Sequence, residues 1–435
     1  MHKSVIAGML VFGCVAALGA QSRTESSGYY QEISISPESQ TSARNAADDI
    51  DTLLKRAEAD DADAQLELAR KYSDGVDVRQ NHGEAIKWYM RAAKLGNREA
   101  QVKLALAYER GQGVTQDYKE ALNWYQAAAK QKDAQAQNNL GSMYFDGRGV
   151  KQDYKAAKKW FEAAAKQNNA NALVNLGSLY AMGYGIKQDY KKAYDYFEAS
   201  AKQNNTNAVN WLGVMYASGN GVAQDAKRAV AYFSEAATNG LAAAQYNLAI
   251  LYKNGTGTTQ DIGKAIEYFT AAAQQGYAPA EFYLGVAYES GNGVPQDYQK
   301  AIAYYESAAQ QGNGAAQYNL ANIYEQGIGV DVDYAKAAQW YETAATGGDA
   351  EAQLSIGKLY YAGQGVKQDF KKALQWFESS AEHGLAEAQY NLGLMHLKGQ
   401  SVKENYGKAI TMIKAAAAQG NESAIATLAS LGESL

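Results

Sequence analysis

Between residues 100 and 135 apolar positions fall in two helical stripes separated by glycines. Ala100, Leu104, Ala105 and Tyr108 recur at i, i+4, i+5 and i+8, one face of a first helix. Gly111-x-Gly113-Val114 interrupts it, since glycine takes the positive φ that ends helices. Asp117 then stands where a carboxylate can cap a second helix, with Glu120 at the capping-box position. Ala121, Trp124, Tyr125, Ala128 and Ala129 form the second stripe. The segment predicts a helical hairpin.

The same pattern returns along most of the chain. Ala64, Ala100, Ala136, Ala172, Ala208, Ala244, Ala280, Ala316, Ala352, Ala388 and Ala424 mark ten insertion-free steps of 36 residues. The first-helix tyrosine recurs from Tyr108 through Tyr144, Tyr180, Tyr216, Tyr252, Tyr288, Tyr324 and Tyr360. The capping aspartate recurs from Asp117 to Asp369, and a second-helix alanine from Ala93 to Ala417. Each hairpin leaves an apolar face that only its neighbours can cover, so stacking follows. The fold class predicted is an all-α solenoid of stacked 36-residue helix hairpins, with atypical ends. The first unit carries Asp77, Asn81 and His82 at signature positions, and the last has His396, Ser401, Asn405 and Met412. Segments 50–59 and 421–431 read as a lone second and a lone first helix closing the stack.

The N-terminus adds a different signal. His2 and Lys3 precede an almost wholly apolar run from Val5 to Leu18, and Leu18-Gly19-Ala20 ends in small residues. That layout predicts an export signal over 1–20, then a polar leader over 21–45 and the repeats over 46–435, about ten full repeats with a half-repeat at each end. Cys14, the chain's one cysteine, lies inside the signal, in a poor match to a lipidation box. Cleavage after Ala20 leaves no thiol and hence no disulfide framework. Beyond the signal no segment approaches the ~20 apolar residues that span a bilayer. The charge is nearly balanced, 41 basic against 46 acidic residues, without the basic stripe that nucleic acid requires.

Residues 134–165 spell Ala134, Ala136, Gln137, Leu140, Gly141, Tyr144, Gly147, Gly149, Val150, Asp153, Tyr154, Ala157, Trp160, Phe161, Ala164 and Ala165. This pattern resembles the Sel1-like repeat, a relative of the tetratricopeptide repeat, and the resemblance covers about residues 50–431. The family's lysine is replaced by Ala156 here, but Lys192, Lys264, Lys300 and Lys336 supply it in other units. The resemblance implies a right-handed superhelix with a concave face and a role as adaptor or scaffold. Exported bacterial members resemble host-interaction or envelope-assembly proteins.

Little in the sequence points to catalysis, a cofactor or a metal. His2, His82, His383 and His396 show no metal-ligand spacing, and Asp117 and its equivalents read as caps. Ser355-Ile356-Gly357-Lys358 matches Ser-x-x-Lys, and some cysteine-rich relatives carry a β-lactamase label. However, the companion Ser-Asp-Asn and Lys-Thr-Gly motifs are missing, and Ile356-Gly357 fill the repeat's core positions. The expected function is therefore a non-enzymatic, exported, monomeric scaffold that binds a protein or peptide, not nucleic acid.

A variable row offers the candidate partner site. Three residues after each anchor alanine stand Asn139, Asn175, Trp211, Asn247, Tyr283, Asn319 and Asn391, alongside Glu67, Lys103 and Ser355. By the same resemblance this row lines the concave groove. Asparagine both donates and accepts hydrogen bonds and could pair with an extended peptide backbone, while Trp211 and Tyr283 would anchor it. The asparagines equally suit bonding to the neighbouring helix. Adjacent Tyr246, Phe282, Tyr318 and Tyr390 suit either the groove or the core, and a partly exposed place in the groove is expected. Carbohydrate or peptidoglycan is the alternative ligand, and hydrolysis a remoter one.

Overall fold

The computed structural model describes residues 50–434. The expected export signal, leader and Cys14 lie outside these residues. Among the described residues there are 22 helices and no strand, from α1 (Ile50–Glu58) to α22 (Glu422–Leu431). Even-numbered helices are the first helices of the repeats and odd-numbered ones the second. The chain falls into two compact units, one ending at Leu241 and the other starting at Ala242. Within each unit every hairpin packs on the next, so the fold class is the all-α repeat solenoid that the period predicts.

Helix starts and stops follow from the backbone. Asp117 accepts hydrogen bonds from the Lys119 and Glu120 N–H groups at 2.8 and 3.1 Å, satisfying donors with no intrahelical partner. The first helices carry a second capping series that the reading above did not single out. Asn97, Asp133, Asn169, Asn205, Asn313 and Asp349 each accept from the N–H three residues on, as Asn169 does from Ala172 at 2.9 Å. Gly111 closes a first helix at φ +70°.

Two close approaches require glycine. In α8 (Ala170–Met182), a Cβ on Gly177 would lie 2.5 Å from Cε1 of Phe197 in α9 (Tyr190–Ala201). Phe197 is thereby pressed into its own hairpin and is fully buried. In the loop after α10 (Thr206–Ser218), Gly221 sits at φ +76°, and a Cβ there would lie 2.7 Å from the Tyr190 carbonyl oxygen. Hairpins are thus tight within and between repeats because small residues occupy the contact points.

Polar groups also bind each repeat to its predecessor. The buried Gln101, Gln137, Gln317 and Gln353 donate through Nε2 to carbonyls of Ala93, Ala129, Ala309 and Ala345 at 3.0–3.2 Å. Those carbonyls lie in the last turn of a second helix, where no intrahelical N–H reaches them. Gln167 in turn donates to Gln137 Oε1 at 2.8 Å. Glu281 stands in the same register, buried, and takes hydrogen bonds from Ser307 and Gln311. The recurring lysine has a role too. Lys192, Lys264, Lys300 and Lys336 lie 4.8–5.3 Å above the rings of Tyr180, Tyr252, Tyr288 and Tyr324, each about 0.5–1 kcal/mol of cation–π attraction at exposed sites.

Candidate functional site

Asn175, Trp211, Tyr283 and Asn319 of the variable row turn toward the preceding repeat, to its first or its second helix. Asn139 is buried and accepts from Gln135 Nε2 at 2.8 Å. Asn175 Nδ2 donates to Asn138 Oδ1, one repeat back, at 2.9 Å. Asn319 Nδ2 donates to the Tyr305 hydroxyl at 3.3 Å. Asn247 is buried and Asn391 half-buried. Trp211 stacks on Phe197 with centroids 5.0 Å apart and 6° between planes, and Tyr283 stacks on Phe269 at 4.9 Å and 8°. One face of each ring is therefore covered by a phenyl of the repeat before.

The adjacent row is buried at Asn138, Val174, Asn210 and Leu354 and half-buried where it is aromatic. In the second unit its aromatic members are Tyr246 of α12 (Ala242–Asn254), Phe282 of α14 (Ala278–Ser290), Tyr318 of α16 (Gly314–Gln326) and Tyr390 of α20 (Ala386–Lys398). Four and seven residues further on lie Ile250 and Lys253, Val286 and Glu289, and Asn322 and Glu325 on the same helical face. Lys253 Nζ lies 4.4 Å above the Tyr283 ring, and burial holds its pKa below the ordinary lysine value.

Glu289 and Glu325 belong to a pairing that reasoning from one repeat missed. Tyr305 donates to Glu289 Oε2 at 2.6 Å, and Tyr341 to Glu325 Oε2 at 2.7 Å. Tyr125 and Glu109 make the same bond in the first unit, at 2.8 Å. In five other repeats, where the residue sixteen positions earlier is not glutamate, the ring is Phe161, Phe197, Phe233, Phe269 or Phe377, while the first repeat pairs Tyr89 with Ser73. A hydroxyl in the core requires a hydrogen-bond partner, and the co-occurrence of Tyr and Glu across repeats was the available signal. Burial, and then the glutamate, raises the pKa values of Tyr305 and Tyr341 far from neutrality.

The Ser-x-x-Lys match resolves into repeat packing. Ser355 is half-buried within α18 (Ala350–Ala362), and Lys358 Nζ reaches Glu387 Oε1 of the following repeat at 2.5 Å. Among the described residues no group of three or more His, Cys, Asp or Glu side chains is arranged to hold a metal. No described helix is long and apolar enough to cross a membrane.

The Sel1 repeat model matches ten consecutive segments, from 62–97 through 386–421, without a gap. The chain belongs to the Sel1 repeat family. Solved Sel1-type structures agree with this. The chain is similar to c5321, a protective antigen of uropathogenic Escherichia coli with an SLR fold, at 37% identity and a TM-score of 0.54. That match covers 86% of this chain and 80% of the other. A Sel1 repeat protein from Oxalobacter formigenes matches at 33% identity and a TM-score of 0.53, over 71% of this chain and 90% of that one. No curated protein matches the chain. Ten Sel1 repeats make a scaffold fold of the kind that serves protein–protein interaction.

Proposed function

We propose that this Sel1 repeat chain is an exported, non-enzymatic scaffold that captures a protein partner along the face formed by its first helices. The observation that carries this reading is the half-buried row Tyr246, Phe282, Tyr318 and Tyr390 on α12, α14, α16 and α20 of the second unit, with buried Leu354 at the same position of α18. Aromatic rings on a polar surface supply contact area at small entropic cost, and they recur at binding hot spots. Asn319 and Asn391, beside this row, and Asn139, Asn175, Trp211, Asn247 and Tyr283 in the same register shape the groove floor. The bonds of Asn175 and Asn319 to the preceding repeat give them a part in ordering the stack, and on this reading they line the floor as well.

Export is supported by the apolar run from Val5 to Leu18 and the small residues before Gln21. Likeness to a protein described as a protective antigen supports a place in the periplasm or outside the cell. A protein ligand is favoured over carbohydrate because Phe197 and Phe269 already cover one face of Trp211 and Tyr283.

A photo-reactive amino acid placed at Tyr318 in the producing cell tests the reading, with Lys336 on the exposed face of α17 (Tyr334–Thr346) as control. The expected result is a discrete protein adduct from position 318 and none from 336. Adducts from 336 alone, or from neither, would overturn the proposal.

A further inference from the structure

The repeats show what the carboxylate at the end of the first helix is built to meet. In the first unit Glu109 is 4% exposed, and Arg148, from the loop of the next repeat, places Nη1 2.6 Å from Glu109 Oε1. Arg148 lies 39 residues after Glu109, at the variable position of Gly147-x-Gly149. The same 39-residue register brings Phe145 and Tyr184 into ring contact at 5.5 Å, and Tyr361 into a hydrogen bond with Gln400 at 3.0 Å. So the last-turn residue and the next loop's variable residue are regular neighbours.

In the second unit that register pairs Glu289 with Ile328 and Glu325 with Gln364. Neither partner is a cation. Each carboxylate takes a hydrogen bond from its tyrosine, and among the described residues no Lys or Arg lies within ion-pair distance of either. Lys253, one repeat before Glu289 in the same row, lies instead over the Tyr283 ring, and Lys358 is engaged by Glu387. Phe282 and Tyr318, half-buried, lie two helical turns before the two carboxylates on the same helical faces. A half-buried carboxylate without an internal cation suits a guanidinium, whose planar fork bonds it.

We propose that Glu289 and Glu325 are a recognition site for arginine side chains of an extended segment of the partner protein, each taking the place that Arg148 occupies against Glu109. The inference rests on the groove reading above and names the partner's chemistry. Arginine suits the site better than lysine because its planar fork can bond the free carboxylate oxygen while the tyrosine hydroxyl keeps the other.

The test uses random, end-capped heptapeptides displayed on beads and selected against the purified full chain at low salt. Selected peptides are then measured by fluorescence polarisation against three chains: wild type, Glu289→Gln/Glu325→Gln, and Ile328→Arg. The glutamine pair keeps the tyrosine hydrogen bonds but removes the charge. Ile328→Arg supplies the internal cation that the first unit already has. The expected result is enrichment of arginine, and binding at least about tenfold weaker to both variants, equivalent to about 1.4 kcal/mol. Circular dichroism melts establish that both variants are folded. Enriched peptides without a basic residue, no enrichment at all, or equal affinity for all three chains would overturn the proposal. If the Tyr318 photo-adduct forms but its contact segment lacks basic residues, this inference fails while the groove reading stands. If no adduct forms, the groove reading itself fails.

Discussion

Glu109 in the first unit and Glu289 and Glu325 in the second occupy one register position, and the chain treats them differently. All three accept a hydrogen bond from a buried tyrosine hydroxyl sixteen residues on. Glu109 then receives Arg148, which also lies 3.0 Å from Asp146, so Glu109 has a counter-charge inside the protein. Ile328 and Gln364 bring no charge to the other two. The hydrogen bond to tyrosine is thus part of the framework, while the loop residue between the two glycines decides whether the carboxylate is closed or left for a partner. A repeat protein can change its ligand at that position without touching the packing that Gly177 and Phe197 represent.

The comparison breaks most severely when the closed pair is opened. Glu109→Ala removes the acceptor that Arg148 and the Tyr125 hydroxyl share, while Arg148 keeps Asp146, and a loss of about 2 kcal/mol in urea unfolding is expected, the value of a hydrogen bond to a charged group. Glu289→Ala should cost only about 1 kcal/mol, the value of one ordinary hydrogen bond. Equal losses at the two positions would show that Glu289 also has an internal counter-charge. Next in size, Tyr305→Phe or Tyr341→Phe should each lower stability by about 1 kcal/mol, measured by thermal melting. The cap Asp297→Ala should cost about as much in either unit's terms, about 1 kcal/mol, because the framework is shared.

The smallest effect is a pH dependence confined to the last repeat. His396 takes the place of the recurring tyrosine, is buried, and has both ring nitrogens without a hydrogen-bond partner. Burial, and then Lys408, holds its pKa below the ordinary 6.5, while Glu378 opposes this. A histidine with a depressed folded pKa opposes protonation in the folded state. Its stability contribution is therefore complete above pH 6.5 and declines as pH falls below it. Hydrogen-exchange protection factors in α20 and α21 (Tyr406–Ala418), with the intrinsic rate at each pH divided out, should fall between pH 7 and pH 5. His396→Tyr should abolish that fall, and protection factors that stay constant with pH in the parent chain would refute the assignment.

Much of this architecture could be read from spacing. Ala64 to Ala424 fixed the period, and Asp117 and Gly111 marked a start and a stop, because caps and left-handed glycines depend on local backbone geometry alone. The caps of the first helices were just as local, but Asn97 and Asn169 fell in what read as a turn. The row containing Asn175 and Trp211 was harder. Helical periodicity says which residues share a face, but not which neighbouring helix covers that face. In the structure Trp211 meets Phe197 and Asn175 meets Asn138, both from the repeat before. The row one residue earlier, with Tyr318, is also half-buried at its aromatic positions and lies on the helical faces that carry Glu289 and Glu325. The Tyr–Glu pairing crosses from one helix to the other, so a single amphipathic stripe does not reveal it. Comparing repeats does, since Tyr125, Tyr305 and Tyr341 replace phenylalanine where Glu109, Glu289 and Glu325 stand sixteen residues before, and Tyr89 does so where Ser73 offers its hydroxyl.

The most direct measurement is partner capture by the full chain carrying Ile328→Arg, with the photo-reactive group at Tyr318. This substitution copies into the second unit the residue that closes the first. The account predicts that the protein adduct falls at least about tenfold while the melting temperature holds or rises. An undiminished adduct from a folded Ile328→Arg chain would contradict it.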